Sequence, residues 1–290
     1  MKLFISVIFY IMCLRASAQL QDPMAYYQTV QQASIHLLSG NYQASDSLYT
    51  EALTTESTPF SIDFKNAIKA SWLVQDTTRA MNLLYTYMQT YGAVPTQDGV
   101  IEDVILACES RRLLTTQQFA QDKFDKIWVS VIDSLIAIDQ MIRTRDYTAG
   151  TIYHEGYNID SLNTHELLTK ITQRGFPTER KVGSERAFKV SILFLHADFD
   201  KQNVLLGELL KAYVLSGHYD PRRYAAMIDR RQVMYGHKPT YYQIPLGFEE
   251  LNHQAQADVN QLRNEIGLGN VSQTVTWRTL PNGDVMISHH

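Results

Sequence analysis

Apolar side chains recur every three to four residues along most of this chain, and that spacing leaves helices as the main building element. From Pro23 to about Tyr91 the pattern comes in segments divided by short polar breaks, with Pro23 suited to a first turn and Gly40-Asn41 to a stop and restart. Further helices are expected at about 98–110, 116–144, 161–174, 183–197, 200–216, 221–235 and 248–265. Gly175-Phe176-Pro177, Gly217 and Gly267 read as helix stops. The stretch Arg145–Asn158, with Gly150 and Gly156, has no period and reads as a loop. Hydrophobic residues at 45% against 19% charged allow a substantial core. The expected fold is all-α, with antiparallel helical hairpins packed on a helical domain.

The two ends differ from this body. Lys2, the apolar run Leu3–Leu14 and Ala16-Ser17-Ala18 before Gln19 have the form of a secretory signal peptide over 1–18. The run is too short for a membrane anchor, which needs about 20 apolar residues. The expectation is a soluble, exported protein of the bacterial periplasm or exterior, with no membrane span once the leader is removed. At the other end, Val275, Trp277, Val285 and Ile287 flank Pro281-Asn282-Gly283-Asp284, where Asn-Gly favours a hairpin turn. A short β-hairpin is therefore expected within a tail of 268–290. Between the ends, Tyr91 to Thr96 is the best boundary, separating a region of 19–92 from a domain of 98–267.

Loss of Lys2 and Arg15 with the leader takes the net charge from -4 to -6. That mild acidity gives no basic footprint for nucleic acid. The mature chain keeps one cysteine, Cys108, set among Ile105, Leu106 and Ala107 as a small core residue. No phosphate loop, nucleophile elbow or Cys-x-x-Cys pair is present, so no cofactor is expected.

Two resemblances sharpen this outline. Gly40, Tyr42, Ser45, Tyr49 and Ala52 resemble the second half of a tetratricopeptide repeat, with a weaker copy around Ala80, Leu84 and Tyr87. The likeness implies paired helices and a surface that engages a protein or peptide partner. Residues of about 130 to 267 carry, in order, Asp139-Gln140, Arg143, Gly175-Phe176-Pro177, Val182-Gly183, His196-x-Asp198, Gln202, Asp229-Arg230 and Gly236. This order resembles domain-of-unknown-function family 6624. Phe176 stands where that family usually has Trp, and Leu195 where it has Gln; Gly236 to Gln243 matches its closing motif only in part. The resemblance implies a domain and a set of positions, and no reaction.

The candidate residues follow from burial and charge. The helix ending at His196 carries Phe188, Val190, Ile192, Leu193, Phe194 and Leu195, so its histidine should be enclosed. The C-terminal end of the helix dipole favours a cation there. Asp198, Asp229 and Arg230 are the expected partners, because buried charges must be paired. Two readings stay open: a polar network that fixes helix register, with Asp139 and Arg143 at its edge, or a pocket. In the pocket His196 is general acid or base, Asp198 or Asp229 orients it, and Arg230 or Arg143 holds an anionic group. Asp139, Gln140, Arg143 and Gln202 are the binding candidates there, and Tyr42 and Tyr49 in the front region. A metal site from His196, Asp198 and one of His165, His218 or His237 lacks any ligand-spacing motif, and none is expected. The first expectation for function is a non-enzymatic interaction module of the cell envelope. The alternative is a small-molecule hydrolase centred on His196, Asp229 and Arg230.

Overall fold

The computed structural model describes residues 23–55, 59–92, 94–95, 99–111, 123–143, 149–197, 204–243, 247–271, 275–279 and 285–289. The leader-like segment 1–18, Asp198 and Gln202 lie outside them. Twelve helices follow in chain order among the described residues: α1 (Pro23–Leu38), α2 (Tyr42–Thr55), α3 (Ser61–Leu73), α4 (Thr77–Tyr91), α5 (Gly99–Ser110) and α6 (Lys126–Arg143), then α7 (Ala149–Arg174), α8 (Glu179–Val182), α9 (Ser184–Ala197), α10 (Val204–Leu215), α11 (Pro221–Met234) and α12 (His253–Glu265). No helix among the described residues is long and apolar enough to cross a membrane.

The expected fold class needs a correction. The architecture is all-α, and the terminal β-hairpin expected as part of it is not a component of the fold. Among the described residues, extended backbone pairs only between Val275–Thr279 and Val285–His289, in a ribbon of two. Such a ribbon is marginal by itself and adds no layer to the helices. The Asn-Gly turn that motivated the hairpin lies outside the described residues.

A second correction concerns the expected loop over 145–158, where α7 is helical from Ala149. Gly150 and Gly156 each disfavour a helix by only about 1 kcal/mol, and the stretch has no proline. Extending an existing helix is far easier than starting one, so the periodic stretch that follows carries α7 backwards. At α12 the structure starts later than expected. Asn252 caps it by accepting the Ala255 N–H at 2.9 Å, after a turn over Phe248 to Leu251.

The chain divides into two compact units. One lies within 88–94 and 118–219, and its body is α6, α7 and α9, which pack on one another. Trp128, Ile132, Leu135 and Ile142 of α6, Leu167 and Ile171 of α7, and Val190, Leu193 and Phe194 of α9 are among its buried apolar residues. Phe176 is buried between Phe194 and Tyr213, with ring centroids 6.2 and 4.5 Å away. The Val182-Gly183 pair is structural. Gly183 has φ +87°, and a Cβ there would lie 3.0 Å from the Tyr91 carbonyl oxygen and 3.3 Å from the Phe124 ring.

The other unit lies within 20–87, 95–117 and 220–290. Here α1 and α2 pack closely, with Ser45 Oγ donating to the Ala33 carbonyl at 2.8 Å and Ala33 and Ala52 buried. Cys108 is buried in α5 and burial raises its thiol pKa, which suits a packing residue. Asp63, wholly buried, accepts from the Tyr26 hydroxyl at 2.7 Å and from Arg222 at 2.9 Å. Arg222 also reaches Asp220, the N-cap of α11, at 2.8 Å.

Tyr49 is fully buried, with its hydroxyl 2.8 Å from Ser34 Oγ and burial pushing its phenol pKa up. It therefore lines no docking surface, while Tyr42 is half-buried. Tyr49→Phe should destabilise the protein by about 1 kcal/mol, because it removes the buried hydrogen bond to Ser34. Tyr42→Phe should change stability by less than about 0.5 kcal/mol. Urea denaturation of both variants checks this, and equal effects would contradict the enclosed position of Tyr49.

Candidate functional site

The site starts from a carboxylate in the wrong kind of place. On α6, Trp128, Ile132, Leu135 and Ile142 form the buried stripe, and Asp139 falls on that same stripe with no exposed surface. A buried carboxylate must find donors. Arg143, one turn along α6, donates to Asp139 Oδ1 at 2.6 Å. Gln140 Nε2 donates to Oδ2 at 2.8 Å. His196, in the last turn of α9, places Nδ1 2.8 Å from Oδ1.

The fourth ionisable member comes from α7. Asp160 accepts from Arg143 Nη2 through both oxygens, at 2.8 and 3.0 Å. One guanidinium thus bridges two carboxylates from neighbouring helices, a geometry that suits its planar fork. Burial raises the Asp160 pKa above the usual carboxylate value, and Arg143 only partly offsets this.

Three sequence-derived candidates, Asp139, Arg143 and His196, therefore meet in one cluster, and Gln140 supports it. Asp160 was not among them. Its signal is the spacing of Asp160, Thr164, Leu167 and Ile171 on the buried face of α7, which the loop reading of 145–158 cut short.

His196 pairs with Asp139, and its expected partnership with Asp229 and Arg230 joins residues of two different units. His196 belongs to the unit within 118–219, whereas Asp229 and Arg230 belong to the unit that holds 220–290. Asp229 is fully buried on α11 and accepts two main-chain N–H groups, Tyr241 at 2.7 Å and Gln243 at 2.6 Å. Main-chain donors answer its charge, so it needs no histidine. Arg230 is half-buried beside it. Tyr42 and Tyr49 also belong to that second unit.

The chemistry follows from the donors. Asp139 only accepts, so His196 presents Nδ1–H to it and leaves Nε2 as the working nitrogen. Nε2 has no hydrogen-bond partner among the described residues, and the side chain keeps 13% of its surface exposed. A lone pair on Nε2 can take a proton from a water or hydroxyl and later return it. Arg143 is engaged on both sides and is not a free anchor for an anion.

Asp139, Asp160 and His196 bring potential metal-ligand atoms within 4.8 Å of one another. The guanidinium already lies on both carboxylates, so a cation there would have to displace Arg143 and repel it. The donor set suits an internal ion network better than a metal.

No family model, curated protein or solved structure matches this chain. The likenesses to family 6624 and to tetratricopeptide repeats therefore rest on the quoted residues alone.

The raised Asp160 pKa carries a pH signature. A carboxyl whose folded pKa exceeds its unfolded value of about 3.9 contributes stability at low pH and loses it as pH rises through the folded value. Asp160→Asn removes that contribution. The stability gap between wild type and Asp160→Asn should narrow as pH is raised from about 3.5 towards neutrality. Urea denaturation at stepped pH measures it, and a gap that widens instead would contradict the direction of the shift.

Proposed function

We propose that this chain is an exported protein that performs acid–base chemistry on a small molecule, with His196 as general base and acid. The observation that carries this reading is the pairing of His196 Nδ1 with the wholly buried Asp139 at 2.8 Å, which leaves Nε2 free among the described residues. Asp139 fixes the tautomer and the ring plane. Nε2 accepts a proton from an attacking water as its oxygen bonds to the substrate, then delivers that proton to the leaving group. The class that fits is a small-molecule hydrolase. The leader-like segment 1–18 supports export.

A second reading, a non-enzymatic interaction module, draws on a different observation. Ile127, Ile138 and Met141 stand exposed on one side of α6, where a partner helix could dock. The Tyr42 and Tyr49 pair does not support this reading, because Tyr49 is enclosed.

The two readings diverge on one residue. Purified mature protein should turn over at least one of a set of chromogenic esters, anilides, glycosides and phosphoesters. His196→Gln should lower that rate by about 100-fold or more, the usual contribution of a positioned acid–base group, while the circular dichroism spectrum is kept. Turnover of none of them, or turnover unchanged in His196→Gln, would remove the hydrolase reading.

A further inference from the structure

A second buried polar group lies one helical turn from Asp160. Asn163 is 5% exposed, and its Nδ2 is buried without a hydrogen-bond partner among the described residues. Residues three apart on a helix have Cβ atoms roughly 5–6 Å apart on one face. That face of α7, with Asp160, Thr164, Leu167 and Ile171, is the buried one. Thr164 does not serve the amide, since its hydroxyl donates back to the Asp160 carbonyl at 2.6 Å. A buried donor left unmade is costly, and native proteins keep few of them.

The charge beside it restricts what kind of acceptor suits this donor. Asp139 and Asp160 face one guanidinium and one imidazole, so the cluster is neutral when His196 is protonated and carries -1 when it is not. It holds no excess positive charge to attract an anion, and its one guanidinium is committed to both carboxylates. A neutral oxygen acceptor matches a neutral N–H donor.

We infer that Asn163 belongs to the His196 site as a donor to a neutral carbonyl oxygen of the bound molecule, which makes the substrate class an uncharged ester or amide. The inference rests on the acid–base reading of His196 and adds the group that holds the acyl oxygen. Asn163 orients the carbonyl and polarises it, while the proton that His196 takes comes from the attacking water.

The test uses the mature chain, with Asn163→Leu as the near-isosteric variant that lacks the donor. If the amide is kept for a ligand, the variant should melt at or above the wild-type temperature, because the stranded donor is gone. It should also lose 10-fold or more of the turnover of 4-nitrophenyl acetate or 4-nitroacetanilide. A melting temperature well below wild type would overturn the inference, because the amide would then be part of the core's own bonding. Full turnover in the variant would overturn it too.

A separate readout needs no turnover. The Asn163 side-chain amide signal, assigned by its loss in Asn163→Leu, should shift saturably in nitrogen–proton spectra on titration with N-methylacetamide, and much less with acetate. A saturable shift in a protein that hydrolyses nothing would uphold Asn163 as a carbonyl donor while the acid–base reading falls. No shift with N-methylacetamide, or a stronger response to acetate, overturns the assignment whatever His196 does.

Discussion

One buried carboxylate organises the unit that holds the site. Asp139 occupies a position on α6 that its neighbours fill with Trp128, Ile132, Leu135 and Ile142. Its charge can stay there only if donors surround it. Arg143 supplies one from the next turn, His196 another from the end of α9, and Arg143 then ties in Asp160 from α7. Three helices are thereby held in register to a single side chain. Removing one partner of such a set typically costs about 3–5 kcal/mol, since the charge left behind stays buried. Apolar packing alone would tolerate small slides of α6 against α7 and α9. The ion network does not, because its hydrogen bonds lose strength with a few tenths of an ångström or a modest change of angle.

Much of this was legible in the residues. A histidine closing an apolar helix was readable as an enclosed cation site, and Asp139-Gln140 with Arg143 as its polar company. The partners of His196 were not readable, because periodicity shows which residues are buried and says nothing of which helices face one another. Asp229 was a reasonable candidate on burial and charge. It turns out to be satisfied by the Tyr241 and Gln243 N–H groups, and main-chain donors leave no charged residue in the sequence to announce them. Asp160 and Asn163 were missed for a different reason. With 145–158 read as a loop, α7 was given too late a start, so Asp160 fell outside it and the phase of its buried face could not be followed backwards.

In the second unit, Asp229 and Arg263 are answered in another way, by the main chain. Asp229 binds the main chain on either side of Tyr242, a residue held at φ +48°, where non-glycine residues rarely sit. Fully buried Arg263 donates to the carbonyls of Tyr241 and Gly269, and burial lowers its pKa to about 10. It therefore remains charged at neutral pH. Asp229 and Arg263 grip the same turn from its N–H and its carbonyl sides, and so hold a strained conformation that local sequence would not choose. This arrangement answers both ions with main-chain groups. The contrast explains why charge and burial alone are poor guides to a reactive site. What matters is whether a polar atom remains once the network has closed.

Among the described residues His196 Nε2 is such an atom, and the charges around it suit the work proposed for it. Two carboxylates against one guanidinium leave the cluster one negative charge in excess while the imidazole is neutral. The proton that Nε2 draws from an attacking water brings the four groups to balance. The transition state for that transfer places positive charge on the ring, next to the buried carboxylate already bonded to Nδ1. Fixed groups in a water-poor setting stabilise such a charge without reorganising, which is the arrangement that most effectively lowers a barrier. The same excess of negative charge disfavours anionic substrates. Structural register and chemical bias thus come from one set of side chains, and a change to Asp139, Arg143 or Asp160 alters both together.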